Sequence, residues 1–177
     1  MSDVANFLHS QLVANARYRG KRIPRASYEL ILVKNLGTLN LKRQGDQLPD
    51  LIIVATDANC KGLNERTKEF LDRGAPVPVI LAIPDPHVER WLLLDGAAFR
   101  AVFGKGCDAP DRKCSRDRYK QQLVNEIRNA GAIPALGGIE FAEDIVNEMD
   151  IDRAARADNS FSRFIEAVTR TFRTWKE

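Results

Sequence analysis

The sequence predicts an α/β fold with a parallel-sheet core and a helical C-terminal portion. Two stretches carry the sheet. "PDLIIVAT" (49–56) and "VPVILAIP" (77–84) are short apolar runs rich in β-branched residues and bounded by proline. Runs of that length and composition read as fully buried strands. A third observation orders them. "GLNERTKEFLDRG" (62–74) lies between, with Leu63, Phe70 and Leu71 on one helical face and Gly74 where a glycine closes a helix. Strand, helix, strand in that order is a βαβ unit, so parallel strands joined by a right-handed crossover are expected.

The remaining elements follow from spacing and punctuation. Val4, Phe7, Leu8, Leu12 and Val13 predict a helix over 3–17, capped by Ser2 or Asp3, and Pro24 breaks the chain after it. Over 27–45, Ser27 as N-cap and Leu32, Leu36 and Leu39 on one face favour a helix, although "ELILV" alone also fits a strand. Asp85 as N-cap with Pro86 at the first helical position starts the helix "HVERWLLLD". "GAAFRAVFG" is a second short helix, ended by Gly104, and 105–116 is a polar loop. Helices are expected over 116–131, closed by Gly131, and over 138–150 and 160–175. In the last, Phe161, Phe164, Ile165, Val168, Phe172 and Trp175 form one stripe, expected to pack on the sheet or, if exposed, on a partner.

A chain of 177 residues is most simply one domain, read as a sheet core over 1–104 with a helical portion over 105–177 packed on it. No apolar run approaches the ~18 residues of a membrane span. The first residues, "MSDVANFLHS", lack the basic start and apolar block of a signal peptide. The cysteines are odd in number and widely spaced, at 60, 107 and 114. That argues against a disulfide framework and for free thiols, and so for a cytoplasmic protein. A net charge of +3 permits weak attraction to nucleic acid without implying it. The densest basic stretches, "RYRGKRIPR" (17–25) and "DRKCSRDRYK" (111–120), read as solvated surface before phosphate track.

In an open parallel sheet, ligands bind beyond the carboxyl ends of the strands. One predicted strand is followed by Asp57, Asn59 and Cys60, the other by Asp85, His87 and Glu89. On a shared rim such groups would suit Mg²⁺ or Mn²⁺, hard cations that take carboxylate oxygens and support phosphoryl chemistry. Structural roles account for the same residues. Asp85 caps a helix, Glu89 suits a first helical turn, Asp57 or Asn59 caps the helix near Gly62, and a lone histidine such as His87 is commonly structural. Cys60, Cys107 and Cys114 with His87 would make a Cys₃His zinc site, but C-x₆-C is not finger spacing, and free thiols are the preferred reading.

"ATDANCKGLNERTKEF" resembles the acidic motif of the Toprim fold, shared by primases, type II topoisomerases and overcoming-lysogenization-defect nucleases. That motif sets Asp-x-Asp after a buried strand, then a glycine and a basic helix. Asp57, Gly62 and Arg66 match. "IPDPHVERWLLLDGAAFRAVFG" is similar to a segment of small Toprim-like proteins often encoded beside an ATPase in bacterial defence loci, matching at His87, Glu89, Trp91, Leu94 and Asp95. The resemblance covers about residues 1–125. It implies a metal-dependent nuclease acting on nucleic-acid phosphodiesters. In it Asp57 is the main metal ligand, Asn59 a neutral ligand, and Glu89 with His87 a second cluster. Lys61, Arg66 or Lys120 would neutralise phosphate charge. Two departures point to the alternative, an inactive interaction subunit docking a partner ATPase. Asn59 stands where the motif has a second acid, and no early strand ends in a glutamate, Glu29 being the only one near.

Overall fold

The computed structural model describes residues 17–18, 21–22, 50–71 and 77–174. The chain divides into two compact units, 1–46 and 47–177. In the first, β1 (Arg17–Tyr18) and β2 (Lys21–Arg22) pair antiparallel, with Arg17 opposite Arg22. The helices expected over 3–17 and 27–45 lie outside the described residues, except for Arg17, which is in a strand.

The second unit opens with the predicted βαβ segment. β3 (Ile52–Ala55) and β4 (Val79–Ala82) pair parallel, Ile52 beside Val79 and Ala55 beside Ala82, with α1 (Leu63–Leu71) between them in the chain. Among the described residues this is the whole sheet. Gly74, expected to close α1, lies outside the described residues. The expectation of fully buried strands holds for only part of the pair. Ile80 and Ala82 are buried, but Ile53 is 48% exposed. Its alternation with half-buried neighbours is that of a strand covered on one face.

After β4 come α2 (Val88–Leu92), α3 (Gly96–Phe103) and α4 (Arg118–Asn129). A 3₁₀ turn at Ile139–Phe141 leads into α5 (Ala142–Glu148), and then α6 (Ile151–Ala157) and α7 (Asn159–Thr174) complete the unit. Gly104 ends α3 at a φ of 76°, its N–H donating to Arg100 O, as its position predicts. α6 was not expected. Its start is a local cap, Asp150 accepting from the Arg153 N–H at 2.9 Å. The core lies where α2, α3, α4 and α5 meet, around Leu93, Phe99, Leu123, Ile127 and Ile145, all fully buried. α7 lies along β4 and α6. Phe161 and Phe164 flank the Trp91 ring at 5.1 and 5.6 Å, so the front of the predicted stripe is core.

Asp95, at 1% exposure, joins this core to α6. Its Oδ1 accepts from the Ala97 and Ala98 N–H groups, its Oδ2 from the Asp150 N–H, and Arg153 Nη2 lies 2.6 Å away. Burial alone would raise this carboxyl, but Arg153 and the three backbone donors outweigh it and hold it below the usual carboxylate value. A lowered native pKa means stability that is present above the unfolded value of about 3.9 and lost as pH falls through the native one. The urea midpoint is therefore expected to drop between pH 5 and 3. Asp95→Asn should cost about 2 kcal/mol at pH 7 and flatten that slope. A variant with the wild-type slope would show that Asp95 does not carry it.

Candidate functional site

The two strand ends do share one rim. The parallel ladder runs on past both strands: Thr56 N–H donates to Ala82 O at 3.1 Å, Ala58 N–H to Pro84 O at 2.9 Å, and Asn59 N–H to Pro86 O at 3.2 Å. Asn59 and Cys60 then take left-handed backbone at φ 48° and 65°, and Gly62 follows at 84°. This tight turn delivers the chain into α1. Asparagine is among the few side chains that accept such a φ readily.

The acids on the rim serve the helices in exchange. Asp57, at the end of β3, accepts from the Val88 N–H at 3.0 Å and so caps α2, the helix that follows β4. Asp85, at the end of β4, accepts from the Leu63 N–H at 3.3 Å and caps α1, the helix that follows β3. This corrects two expectations, that Asp85 caps its own helix from Pro86 and that Asp57 or Asn59 caps the helix near Gly62. α2 begins at Val88, and His87 stands at its N-cap position without a side-chain cap bond. The adjacent strands place each carboxylate over the neighbour's helix. The Asp85 N–H, meanwhile, donates to Ser160 Oγ at 3.2 Å.

His87 comes to Asp57. Nδ1 lies 3.6 Å from Asp57 Oδ2, with the imidazole 18% and the carboxylate 34% exposed. Among the described residues His87 Nε2 is buried without a hydrogen-bond partner, and the Tyr119 ring lies 6.5 Å from the imidazole. Burial pushes the Asp57 carboxyl above its ordinary value, against the pull of His87, the Val88 N–H and Arg66.

The other predicted residues are dispersed. Arg66 secures the end of β3: Nε donates to Asp57 O at 3.2 Å and Nη2 to Thr56 Oγ1 at 2.9 Å, while Nη1 pairs with Glu69 and the guanidinium lies over Phe70. Lys61 Nζ is 2.7 Å from Glu69 Oε1. Asn59 is exposed on the turn. Glu89 is half-buried in the first turn of α2, and among the described residues no hydrogen bond or ion pair joins it to Asp57 or His87. Lys120 is exposed on α4, its stem close to Gly137, where an added Cβ would fall 3.1 Å from Lys120 Cε. Among the described residues, no three His, Cys, Asp or Glu side chains stand together as a metal group. Beside the rim, Lys61, Gly62, Asn64, Lys68, Asp85 and Asn159 line much of a cleft of about 670 Å³. Lys68 was not singled out in the sequence. Its place one turn along the helix from Asn64 was the available signal.

The cysteines correct the expectation of free thiols. Cys60 and Cys114 form a disulfide with their Cα atoms 5.5 Å apart, a separation suited to such a bond. Cys107 is free and half-buried, with Sγ 3.8 Å from Leu93 O, and burial pushes its thiol up to about 11. Comparison with protein-family models, with curated proteins and with solved structures finds no match for this chain.

Proposed function

We propose that the chain is a Toprim-like domain of the small nuclease type, taking nucleic-acid phosphodiesters at the carboxyl rim of its parallel strands in a bacterial defence setting. The observation that supports this reading is the meeting of Asp57 and His87 at 3.6 Å on that rim. Asp57 is the more exposed member of the pair and the group a substrate would touch. A carboxyl raised by burial is suited to exchange a proton with an attacking water or a leaving oxygen. His87 positions it. Lys61 and Lys68 bring positive charge to the adjoining cleft. The described residues do not fit a resident Mg²⁺ or Mn²⁺: Asp57 Oδ1 is taken by Val88 N–H and Glu89 does not join. No step here runs through a metal.

The second reading is a catalytically inactive interaction subunit that docks a partner ATPase. It is favoured by the exchanged caps, which give both rim acids a structural task. Incubation with single- and double-stranded DNA and with RNA, each with Mg²⁺ or Mn²⁺, separates the two. The nuclease reading expects strand cleavage that falls about 100-fold or more in Asp57→Asn. That amide keeps an oxygen for Val88 N–H, so its stability should stay within about 1 kcal/mol of wild type. Equal cleavage by wild type and variant would remove Asp57 from the chemistry. A folded wild type that cuts nothing leaves the second reading standing.

A further inference from the structure

We propose that Cys60 and Cys114 form a reversible redox latch, which holds the Asn59–Lys61 turn of the rim against the 105–117 loop. Four observations carry this, and they hold whatever chemistry the rim performs. Both bridged residues are exposed, so a thiol in solution can reach the bond. Both ends are also held by hydrogen bonds of their own. On the loop side, Tyr119 donates its hydroxyl to Lys113 O at 2.7 Å, Arg90 Nε donates to Asp111 O at 2.9 Å, and Arg118 Nε donates to the Asp111 carboxylate at 3.0 Å. Cys114 is thus tied to α2 and α4 up to the residue before it.

On the rim side, the turn holds two consecutive non-glycine residues, Asn59 and Cys60, in left-handed backbone, a conformation that persists where the surroundings enforce it. The turn also keeps Asn59 N–H on Pro86 O at 3.2 Å and Lys61 Nζ 2.7 Å from Glu69, and asparagine accepts its φ readily, so opening the bond first frees the Cys60 backbone, whose side chain is the one ill suited to that φ. The turn lies two residues beyond Asp57 and supplies Lys61 and Gly62 to the cleft. Lastly, the third thiol does not compete. Cys107 is half-buried and held protonated by its surroundings, so it is a poor partner for exchange.

Reduction by a dithiol balances in two exchanges. One thiolate of the dithiol bonds to a bridge sulfur, and the Cys60–Cys114 bond breaks. The dithiol's second thiolate then displaces that sulfur, leaving a cyclic disulfide. Two electrons and two protons pass to the cysteine pair, which ends as two thiols.

The full-length chain tests this with dithiothreitol as the probe. Thiols are counted with a maleimide under denaturing conditions, and trypsin cleavage at Lys61–Gly62 is followed by mass in each redox state. One thiol per chain is expected before treatment and three after treatment without denaturant, out of the three cysteines present. Cleavage at Lys61 should be at least about tenfold faster once reduced, because proteolysis tracks the population of the open turn. Cys60→Ser should show the fast rate with or without reductant. Should that variant fail to fold, the two wild-type states alone decide. A bond that dithiothreitol opens only in denaturant, equal cleavage in the two states, or three thiols before treatment would each overturn the latch.

Discussion

Arg90→Ala is expected to lower the stability of the 47–177 unit by about 3–5 kcal/mol, the cost of leaving one member of a buried ion pair alone. Arg90 is 2% and Asp158 5% exposed. Arg90 Nη1 pairs with Asp158 Oδ2, and Arg90 Nε donates to Asp111 O. Asp158 Oδ1 accepts from Ser160 Oγ–H and from the Phe161 N–H. Ser160 Oγ in turn accepts from Trp91 Nε1 at 2.9 Å. Burial works to raise the Asp158 carboxyl, but Ser160, the Phe161 N–H and Arg90 together hold it below its ordinary value. The network joins α2, the polar loop and the start of α7, so its loss acts on three segments at once. Urea unfolding read by tryptophan fluorescence and far-UV dichroism checks the figure. Arg90→Met combined with Asp158→Asn should recover part of the loss, since no buried charge is then unpaired and the amide oxygen still caps Phe161. A shift below 0.5 kcal/mol in Arg90→Ala would show that water reaches the pair.

Where the sequence could be read, the determining physics was local. β3 and β4 announce themselves through β-branched apolar runs too short for helices, and their parallel pairing follows from the helix between them. Gly104 and Gly131 mark helix ends because a left-handed residue is needed there. The errors fall where a distant segment decides. Ile53 looks as buried as Ile80 in a string of letters, yet its exposure depends on which faces of the sheet the later helices cover. α6 was missed because "IDRAARA" offers little more than Ile151, Ala154 and Ala155 as an apolar face, and alanine marks periodicity weakly.

The rim shows the same division more sharply. That Asp57 and His87 would meet was inferable, because parallel neighbours bring their carboxyl ends together. Which helix each acid caps was not. The usual reasoning looks for a capping side chain immediately before its own helix, and here Asp57 and Asp85 cap across the strand pair. The Cys60–Cys114 bond was also out of reach, since 54 residues separate its ends and only the fold brings them together. The Toprim resemblance offers Arg66, with Lys61 or Lys120, to phosphate charge. The contacts of Arg66 with Asp57 O and Thr56 Oγ1 make it a clamp on the strand that carries the site.

Ending the chain before Ser160 is expected to abolish cooperative unfolding of the remaining polypeptide, and this bears directly on the partner-docking reading. The cut removes Phe161, which is 7% exposed and edge-on to Trp91, and Phe164, which stacks on the same ring. It also removes the hydroxyl that satisfies Trp91 Nε1 and the Asp85 N–H. Losing one buried phenylalanine costs about 3–5 kcal/mol, and a domain's whole stability is about 5–15 kcal/mol. One such loss, together with the half-buried Phe164 ring and a buried indole N–H left unpaired, consumes most of that margin. If α7 instead served only to hold a partner, the truncated chain would melt as wild type does and lose nothing but binding. Trp175, at the far end of the expected stripe, lies outside the described residues, so the argument concerns the first turns of α7. A graded version follows: Phe161→Ala should destabilise by about 3–5 kcal/mol, while Arg173→Ala, on the exposed side of the same helix, should change stability by less than about 0.5 kcal/mol. Equal, small effects from both would return the α7 stripe to the surface and make partner docking the stronger account of it.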